Sequence, residues 1–194
     1  IEIKGNMTNK STKVAKTHEV TSKENLDHIK KIQDNKKIIA IQLMASTETK
    51  SIPFETIINL TEAILESKIY FPIFLIAPTQ EEREYMDKLN GEFGSALVSV
   101  ETDFLALPSV LKNIDLLVTP DTSVKHLADA NAIPLIEVAL GEAPLFKQGT
   151  TTRGNLIITH SHNTFNKSFK MGPDAKLKQN KKIKASDIIL AIDY

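Results

Sequence analysis

This sequence predicts a doubly wound α/β fold built on a mostly parallel sheet of six strands, and three observations support it. Short apolar runs dominated by isoleucine, leucine and valine recur along the chain, as expected of strands buried on both faces. Between them lie segments with apolar residues at helical spacing. The two kinds alternate from residue 36 onward, with crossovers long enough for parallel pairing.

Residues 1–20 are polar and aperiodic, which reads as a linker or tail. In "TSKENLDHIKKIQ", Thr21 and Glu24 have capping-box spacing, and Leu26, Ile29 and Ile32 share one helical face. "KKIIAIQL" (36–43) is the first strand. "PFETIINLTEAILESK" is a helix with Pro53 in its first turn and Phe54, Ile57, Ile58, Ile64 and Leu65 along one face. "FPIFLIA" (71–77) is a strand, and "TQEEREYMDKLNG" a helix with a Thr79/Glu82 capping box and Gly91 as its stop.

"ALVSV" (96–100) is the third strand, and "LPSVLKN" a short helix started by Pro108. "DLLVT" (115–119) is a strand, "TSVKHLADAN" (122–131) a helix and "PLIEVAL" (134–140) a strand. "NLIIT" (155–159) is the sixth strand, and "SDIILAI" (186–192) a closing helix capped by Ser186. The expected organisation is a linker or remnant of a preceding unit over 1–35, then one Rossmann-like domain over 36–194.

Composition excludes several functions. With 24 basic against 24 acidic residues, the whole-chain charge favours neither nucleic acid nor an acidic partner. The absence of cysteine removes disulfides, thiol catalysis and cysteine-based zinc sites. The longest apolar stretch, "IYFPIFLIAP", is about half of the ~20 residues a bilayer requires. No signal peptide is visible in the first 30 residues. A cytoplasmic location is the expectation. Asn166 to Lys184 carries seven lysines and one acid, Asp174, which suits a solvated loop or a peripheral contact with an anionic membrane.

The loop at Thr119-Pro120-Asp121 gathers the most chemistry. In an open parallel sheet, ligands sit beyond the carboxyl ends of the strands. A helix starting near Thr122 presents unpaired N–H groups and the positive end of its dipole there, which suits phosphate. Thr122 and Ser123 add hydroxyls, and His126 shares their helical face. Asp121 is expected to cap the helix by accepting from the N–H of Ser123 or Val124, or to take a ribose hydroxyl. Asp-Thr-Ser at a helix start is also ordinary capping chemistry, and these residues alone leave the two readings level.

"MASTETKSIP", after the first strand, brings Ala45, Ser46, Thr47, Thr49 and Lys50 to the same sheet edge, where Lys50 offers a compact positive charge. The motifs of P-loop NTPases, dinucleotide-binding dehydrogenases and α/β-hydrolases are all missing. No metal site is expected: the five histidines form no H-E-x-x-H pattern, and "THSH" (159–162) reads as a strand-end loop.

"DTSVKHLADANAIPLIEVALGEAP" resembles the Asp-Thr-Gly-x-x-His-Leu-Ala segment, Pro-containing strand and Gly-x-x-x-Pro loop of the heptosyltransferases, glycosyltransferase family 9. "MASTETKSIPFETIINLTEAIL" resembles that family's Gly/Ala-Ser/Thr loop, Lys-x-Trp-Pro step and following helix. "FLIAPTQEEREYMDKL" is similar to its strand, Gly-x-x-x-Glu turn and helix. Order and spacing agree from Lys36 to Pro144 and more loosely beyond. Ser123 stands where the family usually has glycine, and Ile52 where it has tryptophan.

The resemblance implies one half of a GT-B fold, the C-terminal half that binds a nucleotide-sugar donor. It implies that Lys50, Thr122 and Ser123 hold the diphosphate, with Ser46 and Thr47 also among the donor-binding residues, and that Glu82 or Glu81 reaches the ribose. The loop from Thr102 to Phe104 would lie against the base, and Asp121 and His126 would complete the pocket. The implied donor is ADP-heptose, with no cofactor. The implied acceptor is a lipid-linked, lipopolysaccharide-type saccharide at the inner membrane face. Transfer would invert the anomeric centre, with the catalytic base in the N-terminal half, so no residue here is assigned as catalytic. A nucleotide-sugar epimerase of the same build would need a carboxylate-rich cleft, which the two loops lack. A non-catalytic nucleotide- or partner-binding module is the third reading.

Overall fold

The computed structural model describes residues 31, 36–94, 97–140, 149–159 and 183–194. In chain order these form β1 (Lys37–Gln42), α1 (Phe54–Glu66), β2 (Tyr70–Ile76), α2 (Gln80–Phe93), β3 (Ser99–Glu101) and α3 (Leu107–Leu111). Then follow β4 (Leu116–Pro120), α4 (Ser123–Ala130), β5 (Leu135–Ala139), β6 (Leu156–Thr159) and α5 (Ala185–Asp193). The helix expected over 21–33, the loop at Gly141–Pro144, the histidines of "THSH" and most of the lysine-rich segment lie outside the described residues.

All six strands pair in parallel, in the order β3-β2-β1-β4-β5-β6. The isoleucine-rich β1 is central because both its faces are covered. Ile39 and Ile41 point into one apolar layer with α1, α2 and α5, and Ile38 and Ala40 into the other with α3 and α4. Each of these isoleucines is at most 1% exposed, a burial that contributes about 1.5–3 kcal/mol apiece. The strand order reverses at β1 and β4, where α1 and α4 leave toward opposite faces and a crevice opens beyond the strand ends.

Several boundaries correct the sequence reading. Pro53 is extended at ψ 140° and forms the N-cap of α1, one residue before its first turn. Leu65, expected on the buried face of α1, is 41% exposed, whereas Thr61 is fully buried with its hydroxyl donating to the Ile57 carbonyl at 2.7 Å. Helix α2 runs through Gly91 and ends at Gly94, whose φ of 61° is left-handed and favours glycine. Strand β3 has three residues rather than five. Helix α5 starts at Ala185, and it is Asp187, not Ser186, that reaches back to accept from the Lys184 N–H at 2.9 Å.

Candidate functional site

Two loops meet at the crevice. The one after β1 is wound by Ser51, whose hydroxyl accepts from the Ala45 N–H at 2.9 Å and donates to the Thr47 carbonyl at 3.0 Å. The Thr47 carbonyl also accepts from the N–H groups of Lys50 and Ser51. This tight turn presents Ser46, Thr47 and Lys50 as a group. The loop after β4 is short because Pro120 ends the strand and Thr122 is already the N-cap of α4, leaving Asp121 between them.

Gln42 ties the two loops together. It ends β1, and the register places it beside Thr119. Its side-chain oxygen accepts from the hydroxyls of both Thr119 and Thr122 at 2.7 Å, and its amide donates to the Met44 carbonyl at 3.2 Å. The Thr122 hydroxyl is thus held by Gln42, and it caps no helical N–H.

Asp121 differs from the sequence expectation. Its carboxylate does not cap α4 but forms an ion pair with Lys125, one helical turn later. Pairing with a fully buried ammonium outweighs an exposed capping bond, because that ammonium is held out of water, where Glu137 also meets it.

Helix α2 supplies the facing wall with Glu81, Glu82, Tyr85 and Lys88, which share one helical face. Thr79 caps α2 by accepting from the Glu82 N–H at 3.3 Å, as its spacing predicts. The Glu82 carboxylate reaches past Thr79 to accept from the Ala77 N–H at 2.7 Å. Burial, and secondarily the nearby Glu81 charge, raise the Glu82 carboxyl above its ordinary value despite that bond. Tyr85 packs edge-on against Phe54, with ring centroids 5.2 Å apart, and Lys88 lies over the Phe54 ring at 4.2 Å. Burial pushes the Tyr85 hydroxyl up to about 12, and that hydroxyl has no hydrogen-bond partner among the described residues.

These surfaces line an open cleft of about 970 Å³, enough for a nucleotide-sized ligand. Of the sequence-nominated residues, Ser46, Thr47, Lys50, Glu82, Asp121, Thr122, Ser123 and His126 all line it. Thr102 does not. With Phe104 it lines a neighbouring cavity of about 280 Å³, which shares Gln42, Glu82 and Ser123 with the larger one. Ser123 and His126 are exposed at the start of α4, where an anion would meet the helix dipole.

Gln42, Tyr85 and Lys88 were missed from sequence. Gln42 carried a signal, as a lone amide at the end of an apolar strand. Tyr85 and Lys88 carried only helical periodicity from Glu81. Among the described residues, no group of three or more histidine, aspartate or glutamate side chains could hold a metal ion.

A sequence model of glycosyltransferase family 9 (heptosyltransferase) matches residues 5–173. The structure is similar to that of E. coli ADP-heptose lps heptosyltransferase II, with a TM-score of 0.65 and 13% identity over 90% of this chain and 51% of that one. It is similar to E. coli heptosyltransferase WaaC with ADP, with a TM-score of 0.66 and 16% identity over 87% and 48%. A glycosyl transferase family 9 protein from Veillonella parvula gives a TM-score of 0.68 and 14% identity over 88% and 49%. The likeness at these identities is one of fold, and the chain spans about half the length of these solved structures. No curated protein matches the chain by sequence.

Proposed function

The chain belongs to glycosyltransferase family 9, the heptosyltransferase family, and on that premise we propose that it supplies the donor-binding half of a sugar-transferring enzyme. What carries the reading is the convergence of Lys50, Thr122, Ser123 and His126 on one large cavity at the crevice where the strand order reverses. The diphosphate of the donor sits against the start of α4, with Lys50 on its other side. The ribose lies toward Glu82, and the base enters the smaller cavity between Thr102 and Phe104. ADP is the nucleotide we assign, because a solved protein of the same fold contains it. ADP-heptose is then the donor, and a lipid-linked saccharide the acceptor.

The chemistry follows from the charge. As the sugar leaves, negative charge builds up on the nucleoside diphosphate. Donors fixed in advance around that position lower the barrier: the α4 N–H groups, the hydroxyls, the Lys50 ammonium and the His126 ring. Removing one such contact costs about 2–4 kcal/mol in the barrier. The acceptor and the base that deprotonates it belong to the N-terminal half of the fold, and inversion of the anomeric centre is part of the same proposal. Calorimetric titration with ADP, UDP and GDP tests the reading. ADP binding that weakens about ten-fold, or 1.4 kcal/mol, in Lys50→Ala supports it. Equal ADP affinity in the two proteins contradicts it.

A further inference from the structure

Lys125 lines neither cavity, yet its side chain is fully buried. A buried ammonium is costly unless paired. Here it lies between Asp121, four residues earlier, and Glu137 in the middle of β5, whose carboxylate is 3.0 Å away. The other Glu137 oxygen accepts from the Thr150 N–H at 2.9 Å. Of the three charged groups, only Asp121 lines the large cavity. Simple packing would be served as well by three apolar side chains. An acid at the edge of a site for anions is different, because its charge opposes the ligand unless a cation is fixed against it.

We propose that Lys125 is a positioning residue for the phosphate subsite. It holds the Asp121 carboxylate inward and, shared with Glu137, partly offsets its charge, so that the start of α4 accepts a diphosphate beside an acidic residue. The inference rests on the donor-site reading above. It predicts a selective effect: loss of Lys125 weakens ligands that carry phosphate and spares the nucleoside.

The test titrates ADP and adenosine into the whole chain by ligand-observed NMR. Lys125→Met is combined with Glu137→Gln, so that Asp121 loses its ammonium while Glu137 leaves no buried charge behind. In this double variant ADP affinity should fall about ten-fold, with adenosine affinity changed by less than about two-fold. Adding Asp121→Asn should restore most of the ADP affinity. Equal losses for both ligands would make the role structural and overturn the proposal, as would unchanged ADP binding or no recovery. Asp121→Asn in the otherwise native chain strands no charge and keeps the test open if the double variant fails to fold. There the ratio of ADP to adenosine affinity should rise, and a fall overturns the proposal. If the native chain binds neither ligand, the donor-site reading itself fails, and the inference falls with it.

Discussion

Asp129 near the end of α4 holds the loop that leads into β6. Its carboxylate accepts from the Thr150 hydroxyl at 2.5 Å, from the N–H groups of Thr151 and Thr152 at 2.9 and 3.0 Å, and from the Asn155 amide at 3.1 Å. Burial alone would raise its pKa, but these bonds together hold the carboxyl well below the usual range. The unfolded chain therefore binds the proton more tightly than the folded one. Stability from Asp129 is fully present above the ordinary carboxylate pKa near 4 and is lost as the pH falls below it. Melting curves between about pH 6 and pH 3 should show the native chain losing stability more steeply than Asp129→Asn. Parallel curves would remove Asp129 from the account. At the site, eight of the nine nominated side chains share a cavity because loop composition and helix-start chemistry are local signals. Asp121's partner was not legible in that way. Nothing local in the sequence marks Lys125 as buried, and only Glu137, a lone acid inside the apolar run "PLIEVAL", hints at a buried cation opposite it.

Among the elements, α2 shows what local pattern conveys and what it omits. Its Thr79 cap follows from spacing, but its stop does not, since the sequence reading ends the helix at Gly91. Gly91 lies within the helix with open space where a Cβ would stand, whereas Gly94 takes the left-handed cap conformation. The two should respond oppositely to alanine. Gly91→Ala should stabilise by about 0.5–1 kcal/mol through helix propensity, and Gly94→Ala should destabilise by about 1 kcal/mol through backbone strain. Denaturant unfolding of the two variants checks the pair, and shifts of the same sign would contradict the assignment. The bond joining β1 to β4 gives a second test. Gln42→Leu releases two hydroxyls and the Met44 carbonyl, and should cost about 1–3 kcal/mol of stability as well as weakening ADP. A loss of stability with native ADP affinity would separate Gln42 from the site. Strands β1, β2, β4 and β5 were legible because each is a largely buried apolar run. The shortness of β3 was not, since it depends on sheet-edge pairing rather than on composition.

For the whole molecule, alternation of strand and helix predicts a parallel sheet, but not the order of its strands. The order matters because it places the reversal between β1 and β4, beside the two loops richest in hydrogen-bonding groups. Among the described residues, no helix is long and apolar enough to cross a membrane. A contact of the lysines between Asn166 and Lys184 with anionic lipid, worth about 1 kcal/mol each, is a separate proposal from sequence, set against a plain solvated loop. Replacing them with glutamine should reduce sedimentation with phosphatidylserine vesicles, and unchanged sedimentation would discard the contact. Amide NMR of the chain titrated with ADP locates the diphosphate. The largest shifts are expected at Ser123 and Val124 and in Thr47–Lys50, with smaller ones at Thr102. Saturable binding that leaves the start of α4 undisturbed, or no binding at all, would contradict it.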